Sequence, residues 1–169
     1  MYVEGYAATF NSPTVVWEYD GVEYKEQVDD RAFDEADVSD VIFNYNHMGK
    51  VMARTRNKTL QISVDKKGLF IRARLDGTEE GKRIYEEIDG GYIDRMSFAF
   101  TTQEEAYDSA NHMRTIRKIK KLYDVSAVSI PAYDDTSISA RSYFLLESEK
   151  EKARASADLT RMLIIKTYL

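Results

Sequence analysis

Ser97 is the first residue whose type and position could do chemistry. It lies in the segment Met96-Ser97-Phe98-Ala99-Phe100, where strand alternation places the serine on the face opposite the three large apolar side chains. A serine acts as a nucleophile only beside a general base, and the G-x-S-x-G turn of the common hydrolases is absent from the chain. The alternative interpretation is a small residue that packs beneath a neighbouring strand.

His47 is the candidate general base. It follows a predicted strand, Val41–Tyr45, and lies in a polar loop beside Asn46. A single histidine in such a loop is commonly structural or exposed to solvent. The chain contains only two histidines, however, His47 and His112, and a hydrolytic triad needs one imidazole.

Asp124 is the candidate third member of such a triad. It interrupts an apolar run, and period two puts it on one face with Leu122, Ser126 and Val128. A buried carboxylate costs several kcal/mol unless it is paired or hydrogen-bonded, so we expect Asp124 to have a partner. That partner is either structural, such as a backbone amide or a nearby lysine, or a histidine that the carboxylate orients.

The composition excludes several other chemistries. The 169 residues include no cysteine, which removes disulfides, thiol nucleophiles and thiolate metal sites, and we expect neither a metal nor another cofactor. With 24 Lys and Arg against 29 Asp and Glu, the net charge of −5 disfavours nucleic acid as a partner. No apolar run approaches the about 20 residues that cross a bilayer, and no targeting pattern opens the chain. We therefore expect a soluble, unexported protein that does not bind a membrane.

The elements that must position these residues are mainly β-strands. The chain predicts about nine short strands separated by polar turns, and the Asp20-Gly21 pair favours a two-residue hairpin. One clear internal helix follows a cap at Asp76 and ends at Gly90-Gly91. This pattern predicts a β-barrel or sandwich with attached helices rather than a parallel βαβ sheet.

The last part of the chain differs from the rest. Residues 139–169 lack glycine and proline, and we expect them to form a helical or flexible tail after a catalytic domain of residues 1–138. The segment from Ser142 to Ala157 mixes charged and small side chains. We expect this segment to be exposed and sensitive to proteolysis.

Several short segments, in this order, resemble those of the tailed-phage prohead (capsid maturation) serine proteases, which are distant relatives of the herpesvirus assemblins. The resemblance runs from Gly5 to about Ile138. Arg31 and Ala99 stand where that family commonly has glycine, and Asp124 stands where glutamate is usual. The resembling segments are Gly5–Asn11, Arg31–Asp34, Asn44–Val51, Lys67–Phe70, Gly91–Phe100 and Leu122–Ala132.

The resemblance implies an α+β, mainly β, fold: a closed, antiparallel-rich β-barrel surrounded by a few helices. It also implies a serine endopeptidase in which Ser97 attacks the peptide carbonyl, His47 transfers the proton and Asp124 orients the imidazole. The chain order His, Ser, acid differs from the three common triad orders. Backbone amides near Ser97 or near Ser126–Ser129 are candidate oxyanion donors, with Arg95 as a further one.

The resemblance implies a biological setting as well. The substrates would be the precursor of the major capsid protein, its scaffold segment and the protease itself, and the portal is a further candidate partner. The protein would act as a homo-oligomer, a dimer or higher. Its place would be inside the immature phage head, in the cytoplasm of the bacterial host.

Alternatives to this interpretation remain open. A head component of the same fold could be catalytically silent. A nucleic-acid-binding module is another, suggested by a cluster of basic residues. The cluster lacks interleaved aromatics, however, and also fits a solvated β-edge. His112 could replace Asp124, as in the herpesvirus relatives, but its polar surroundings favour an exposed loop. The basic residues are Arg114, Arg117, Lys118, Lys120 and Lys121.

Overall fold

The computed structural model describes residues 1–129 and 144–157. Of the predicted tail, only residues 144–157 belong to the described part, and they are helical. In the described part, the strands are β1 (Tyr2–Thr9), β2 (Thr14–Tyr19), β3 (Val22–Val28), β4 (Ile42–Tyr45), β5 (Met48–Arg54), β6 (Leu60–Val64), β7 (Gly68–Arg74), β8 (Arg95–Asp108) and β9 (Met113–Val128), and the helices are α1 (Glu79–Asp89) and α2 (144–157).

The strands form two sheets. The smaller sheet has the order β1-β7-β6, and the larger one has the order β2-β3-β9-β4-β5, with β8 also paired to β9. Among the described strands, β9 is parallel to β3 and β4, and the other pairings are antiparallel. The prediction of a mainly β, antiparallel-rich α+β fold is confirmed, whereas closure into one barrel stays a prediction. No described helix has the length and apolar character that crossing a membrane requires.

β9 is the strand that organises the larger sheet. Its whole length pairs with β8, while its opposite edge pairs first with β3 and then, over residues 124–127, with β4. Ser126 on β9 therefore has two cross-strand partners, Ser97 on β8 and Asn44 on β4. This register brings three distant segments into one row of polar residues.

A β-bulge at Tyr123 separates Leu122 from Asp124. Ala99 pairs with Asp124 and the next residue, Phe100, pairs with Leu122, so Tyr123 has no opposite residue. Leu122 packs in the main core. The expectation that Leu122 shares the face of Asp124 is wrong, because the extra residue of a bulge shifts the alternation by one position.

The side chains on one face of β8 pack against the main core. Met96, Phe98 and Phe100 pack against the buried core residues, as strand alternation predicts. Ser97 is thereby turned to the other face of the strand. The core's largest fully buried side chains are Phe43, Leu69, Ile71, Leu75, Ile116, Ile119 and Leu122.

Helix α1 is fixed by its caps. The Thr78 side chain accepts a hydrogen bond from the Gly81 N–H at 2.9 Å, so Thr78, and not Asp76, is the N-cap. The helix ends at Gly90, and Gly91 adopts a φ of 75°. The predicted glycine end is confirmed.

Helix α2 packs on a second, aromatic cluster. Phe144 is fully buried, with its ring 5.3 Å from that of Tyr24 and 6.0 Å from that of Tyr107. Ser148, one helical turn later, is also buried. The expectation of an exposed segment is therefore wrong for the start of α2, whereas residues 152–157 are exposed.

Candidate active site

His47 lies in a two-residue turn between β4 and β5. Tyr45 pairs with Met48, and the two turn residues, Asn46 and His47, have φ values of 50° and 57°. These left-handed values are those of a type I′ hairpin, which matches the twist of the flanking strands. Asparagine and histidine adopt this conformation more readily than most residues. The imidazole is thus presented by a tight turn rather than by the longer polar loop expected from the sequence.

Asn46 attaches this turn to the end of β9. Its backbone N–H donates to the Ala127 carbonyl at 3.0 Å, and its side-chain oxygen accepts from the Ser129 N–H at 3.2 Å. The turn therefore cannot move independently of β9. The Ser129 amide is already engaged, which removes it from the candidate oxyanion donors.

His47 and Asp124 form a close pair. His47 Nδ1 lies 2.7 Å from Asp124 Oδ1, and the two side chains are 15% and 11% exposed. The expectation that Asp124 has a partner is confirmed, and the partner is a histidine. Because an ionised carboxylate can only accept, Nδ1 carries the proton of the neutral ring and Nε2 has the free lone pair.

The second ring nitrogen of His47 is buried. Nε2 has no hydrogen-bond partner among the described residues. A buried polar atom without a partner is uncommon in folded proteins. Here it leaves a basic nitrogen ready to accept a proton, which is what a general base requires.

Ser126 joins the His47–Asp124 pair, and the sequence interpretation assigned its side chain no role. Its Oγ lies 2.8 Å from Asp124 Oδ1 and 3.2 Å from His47 Nδ1, and it also contacts the Asn44 side-chain oxygen. Ser126 is fully buried. The sequence did offer a signal for Ser126, because it is a polar residue two positions after Asp124 on a buried strand. Asn44 offered none, because its contact with Ser126 depends on strand register.

Ser97 lies directly across from Ser126. It is 8% exposed and lines a cavity of about 820 Å³ that extends along β1 and β8 and also contacts Arg95 and Met96. Directly opposed residues on neighbouring strands have Cβ atoms about 5 Å apart and on the same face. The register therefore brings Ser97 next to the residue that touches His47. Ser97 makes no side-chain hydrogen bond within the described residues, and His47 and Asp124 do not line the cavity.

His112 lies at the other end of β9. Its ring is 5.0 Å from that of Tyr24, and its Nδ1 is 3.4 Å from Glu151 Oε2 on α2. The turn before it is exposed over residues 108–111, as expected, but the His112 side chain itself is only 30% exposed. At about 3.3 Å per residue, the 12 residues from His112 to Asp124 span roughly 40 Å of strand, which favours Asp124 as the partner of His47.

The basic cluster is partly neutralised by acidic neighbours. Arg114 lies 2.8 Å from Glu26 and Lys121 lies 3.4 Å from Asp37. Burial raises the pKa of the Glu26 carboxyl, and the Arg114 guanidinium opposes that shift. These ion pairs argue against a nucleic-acid surface. The expectation of a β-edge is wrong, however, because β9 pairs with β8 on one side and with β3 and β4 on the other. The described residues also contain no group of acidic or histidine side chains placed to hold a metal ion.

Comparison with known proteins finds a matching family. A family model described as Caudovirus prohead serine protease matches residues 1–151. The matched region contains His47, Ser97 and Asp124 and extends into α2. No curated protein and no solved structure matches the chain.

Proposed function

The chain belongs to the Caudovirus prohead serine protease family, and we propose that it is an active endopeptidase with Ser97, His47 and Asp124 as its catalytic residues. The family implies a role in capsid maturation. The observation that carries the proposal is the close His47–Asp124 pair, 2.7 Å apart, in which the buried His47 Nε2 is free to act as a base. The position of Ser97 opposite Ser126 supports its role as the nucleophile.

The proposed acylation step starts at Ser97. Its Oγ attacks the scissile carbonyl while His47 Nε2 takes the hydroxyl proton, and the same nitrogen returns that proton to the leaving amine. Asp124 accepts from Nδ1–H throughout, which holds the ring in the correct tautomer and stabilises the imidazolium. In deacylation, water attacks the acyl carbonyl while His47 Nε2 takes a proton from it. The same nitrogen then returns that proton to Ser97 Oγ, which leaves as the free hydroxyl.

The negative charge on the tetrahedral intermediate needs fixed donors. Ser129 N–H already donates to Asn46. The remaining candidates are backbone amides close to Ser97, those of residues 126–128, and the Arg95 guanidinium, which is 61% exposed beside Asp94. Loss of one such donor costs about 3 to 4 kcal/mol of transition-state stabilisation in serine proteases. We infer that the donors lie on the cavity side of Ser97.

The proposed substrates are the capsid protein precursor with its scaffold segment and the protease itself, with the portal as a further partner. We further propose that the enzyme works as a homo-oligomer inside the immature head, in the bacterial cytoplasm, and that its two sheets close into the barrel implied by the family. A catalytically silent assembly component is the competing function. No contact of the described residues favours it.

Incubation with the cognate capsid precursor tests the proposal. Wild type is compared with Ser97→Ala and with Ser63→Ala, which removes an exposed hydroxyl from β6 in the other sheet. We expect wild type and Ser63→Ala to cleave the precursor and Ser97→Ala to leave it intact while melting cooperatively. No cleavage by folded wild type would favour the silent component, and cleavage by Ser97→Ala would refute the proposed nucleophile.

A further inference from the structure

We propose that Ser126 is a positioning residue that holds Asp124, and through it His47, in the reactive arrangement. The inference rests on the proposed function of His47 as the general base. It assigns a role to a side chain that neither the family match nor the sequence interpretation singled out.

Burial disfavours a direct reaction of Ser126 with a substrate. The residue is fully buried, whereas Ser97 on the neighbouring strand is 8% exposed and lines the cavity. Ser126 Oγ also lies beside His47 Nδ1, at 3.2 Å, which is the nitrogen already paired with Asp124. A nucleophile must instead deliver its proton to the free nitrogen of the base.

The contacts of Ser126 define what its hydroxyl does. The oxygen accepts from the His47 backbone N–H at 3.3 Å and lies 2.8 Å from Asp124 Oδ1. A hydroxyl has one proton to donate and two lone pairs to accept. Ser126 can therefore bind the backbone of His47 and the carboxylate of Asp124 at the same time, and so fix their relative position.

Asn44 competes for the same proton. Its side chain is buried and its amide oxygen contacts Ser126 Oγ from the β4 side. Hydrogen bonds to an ionised acceptor are about twice as strong as those between neutral groups. The ionised Asp124 is therefore the stronger of the two acceptors for the hydroxyl proton, and Asn44 is the weaker one.

The functional consequence is a fixed carboxylate. Asp124 Oδ1 receives both His47 Nδ1–H and the Ser126 hydroxyl, so the carboxylate cannot rotate without breaking two bonds. Without the Ser126 hydroxyl, the backbone N–H of His47 would lose its acceptor, and the Asp124 carboxylate would lose one of its two donors. This loss affects proton transfer rather than substrate binding.

Steady-state kinetics on the precursor peptide test the first consequence. Ser126→Ala should lower kcat about 10- to 100-fold, the effect of losing a hydrogen bond to a charged group, and should leave KM within about twofold. Ser148→Ala is the matched control, because it deletes another buried hydroxyl, bonded to Leu145 O, at a distance from His47. Ser126→Thr keeps the hydroxyl and should recover part of kcat. An unchanged kcat in folded Ser126→Ala would overturn the proposal.

Nitrogen NMR of the imidazole tests the second consequence without any proteolysis. The Ser97→Ala background prevents self-digestion, and His112→Gln leaves His47 as the only histidine signal. We expect the Nδ1–H tautomer to dominate in this background. Adding Ser126→Ala should mix the tautomers and speed exchange of the Nδ1 proton with water at least about 10-fold.

The two experiments separate the failure of this inference from the failure of the proposed function. If wild type cleaves nothing, the proposed function fails, and the NMR result alone still decides the role of Ser126. If Ser126→Ala leaves tautomer and exchange unchanged, the positioning role is overturned. The same holds if Ser126→Ala is as inactive as Ser97→Ala while its His47 signals are unchanged, because Ser126 would then itself be the reacting group.

Discussion

Ser97 and Ser126 are direct cross-strand partners, one on β8 and one on β9, but only Ser97 lines the cavity. The buried serine touches the His47–Asp124 pair, and the cavity-lining serine is the one that a substrate can reach. We propose that the Ser97 hydroxyl reacts and that the Ser126 hydroxyl supports the pair.

Asp124→Asn should fold but lose most of its activity. The amide keeps the shape of the carboxylate, yet it can donate to His47 Nδ1 and so favours the wrong tautomer. In serine proteases this change lowers kcat about 10⁴-fold. Single-turnover cleavage of the precursor measures the effect, and His112→Ala is the control expected to stay close to wild type. If His112→Ala is crippled and Asp124→Asn is active, the site uses the second histidine.

Asn46→Val should destabilise the turn that carries His47. Asn46 has a φ of 50°, and a left-handed backbone costs a β-branched residue about 1 to 2 kcal/mol. Asn46→Gly also loses the contact with Ser129 but tolerates this φ. We therefore expect the valine variant to unfold at lower denaturant and to have a lower kcat than the glycine variant. Equal stability of the two variants would exclude backbone strain as the cause.

Glu26→Gln should change how stability depends on pH. Burial raises the pKa of Glu26 above its ordinary value, so the folded protein holds this proton to higher pH than the unfolded chain does. The contribution of Glu26 to stability is therefore greatest at low pH and falls as pH rises through the interval between the unfolded and folded pKa values. Glutamine cannot titrate.

Melting temperatures between about pH 4 and pH 7 check this sign. The melting temperature of Glu26→Gln minus that of wild type should become more positive as pH rises. Glu23→Gln removes an exposed charge from the same strand and corrects for the change in net charge. A difference that is constant, or that falls with rising pH, would contradict the assignment.

Self-cleavage should remove the end of the chain beyond the packed part of α2. Phe144 and Ser148 are buried, whereas residues 152–157 are exposed, so the exposed part is the accessible one. Mass spectrometry of fresh wild type should show truncation after about residue 151, and Ser97→Ala should stay intact. The same truncation in both proteins would indicate host proteases instead.

Alternation and burial cost were enough to predict much of the site. The pattern around Ser97 placed it opposite the apolar face of its strand, and the cost of a buried carboxylate required a partner for Asp124. The choice of His47 as that partner came from the resemblance and from the scarcity of histidines. Local sequence thus identified the residues, but not the contacts between them.

The remaining features depend on long-range pairing. The contact of Asn44 with Ser126 arises from a parallel pairing of β4 with β9, which no local pattern encodes. The bulge at Tyr123 changed the face of Leu122 because one extra residue shifts the period-two pattern. His112 became half-buried because α2 packs next to it, and no periodicity around His112 could reveal that distant contact.

Active-site labelling with a fluorophosphonate tests the central claim most directly, because this reagent forms a covalent bond with an activated serine and releases fluoride. Peptide mass mapping then identifies the modified residue. We predict a single adduct on Ser97 that disappears in both His47→Ala and Ser97→Ala. An adduct on Ser126, or an adduct on Ser97 that forms equally well without His47, would contradict the account.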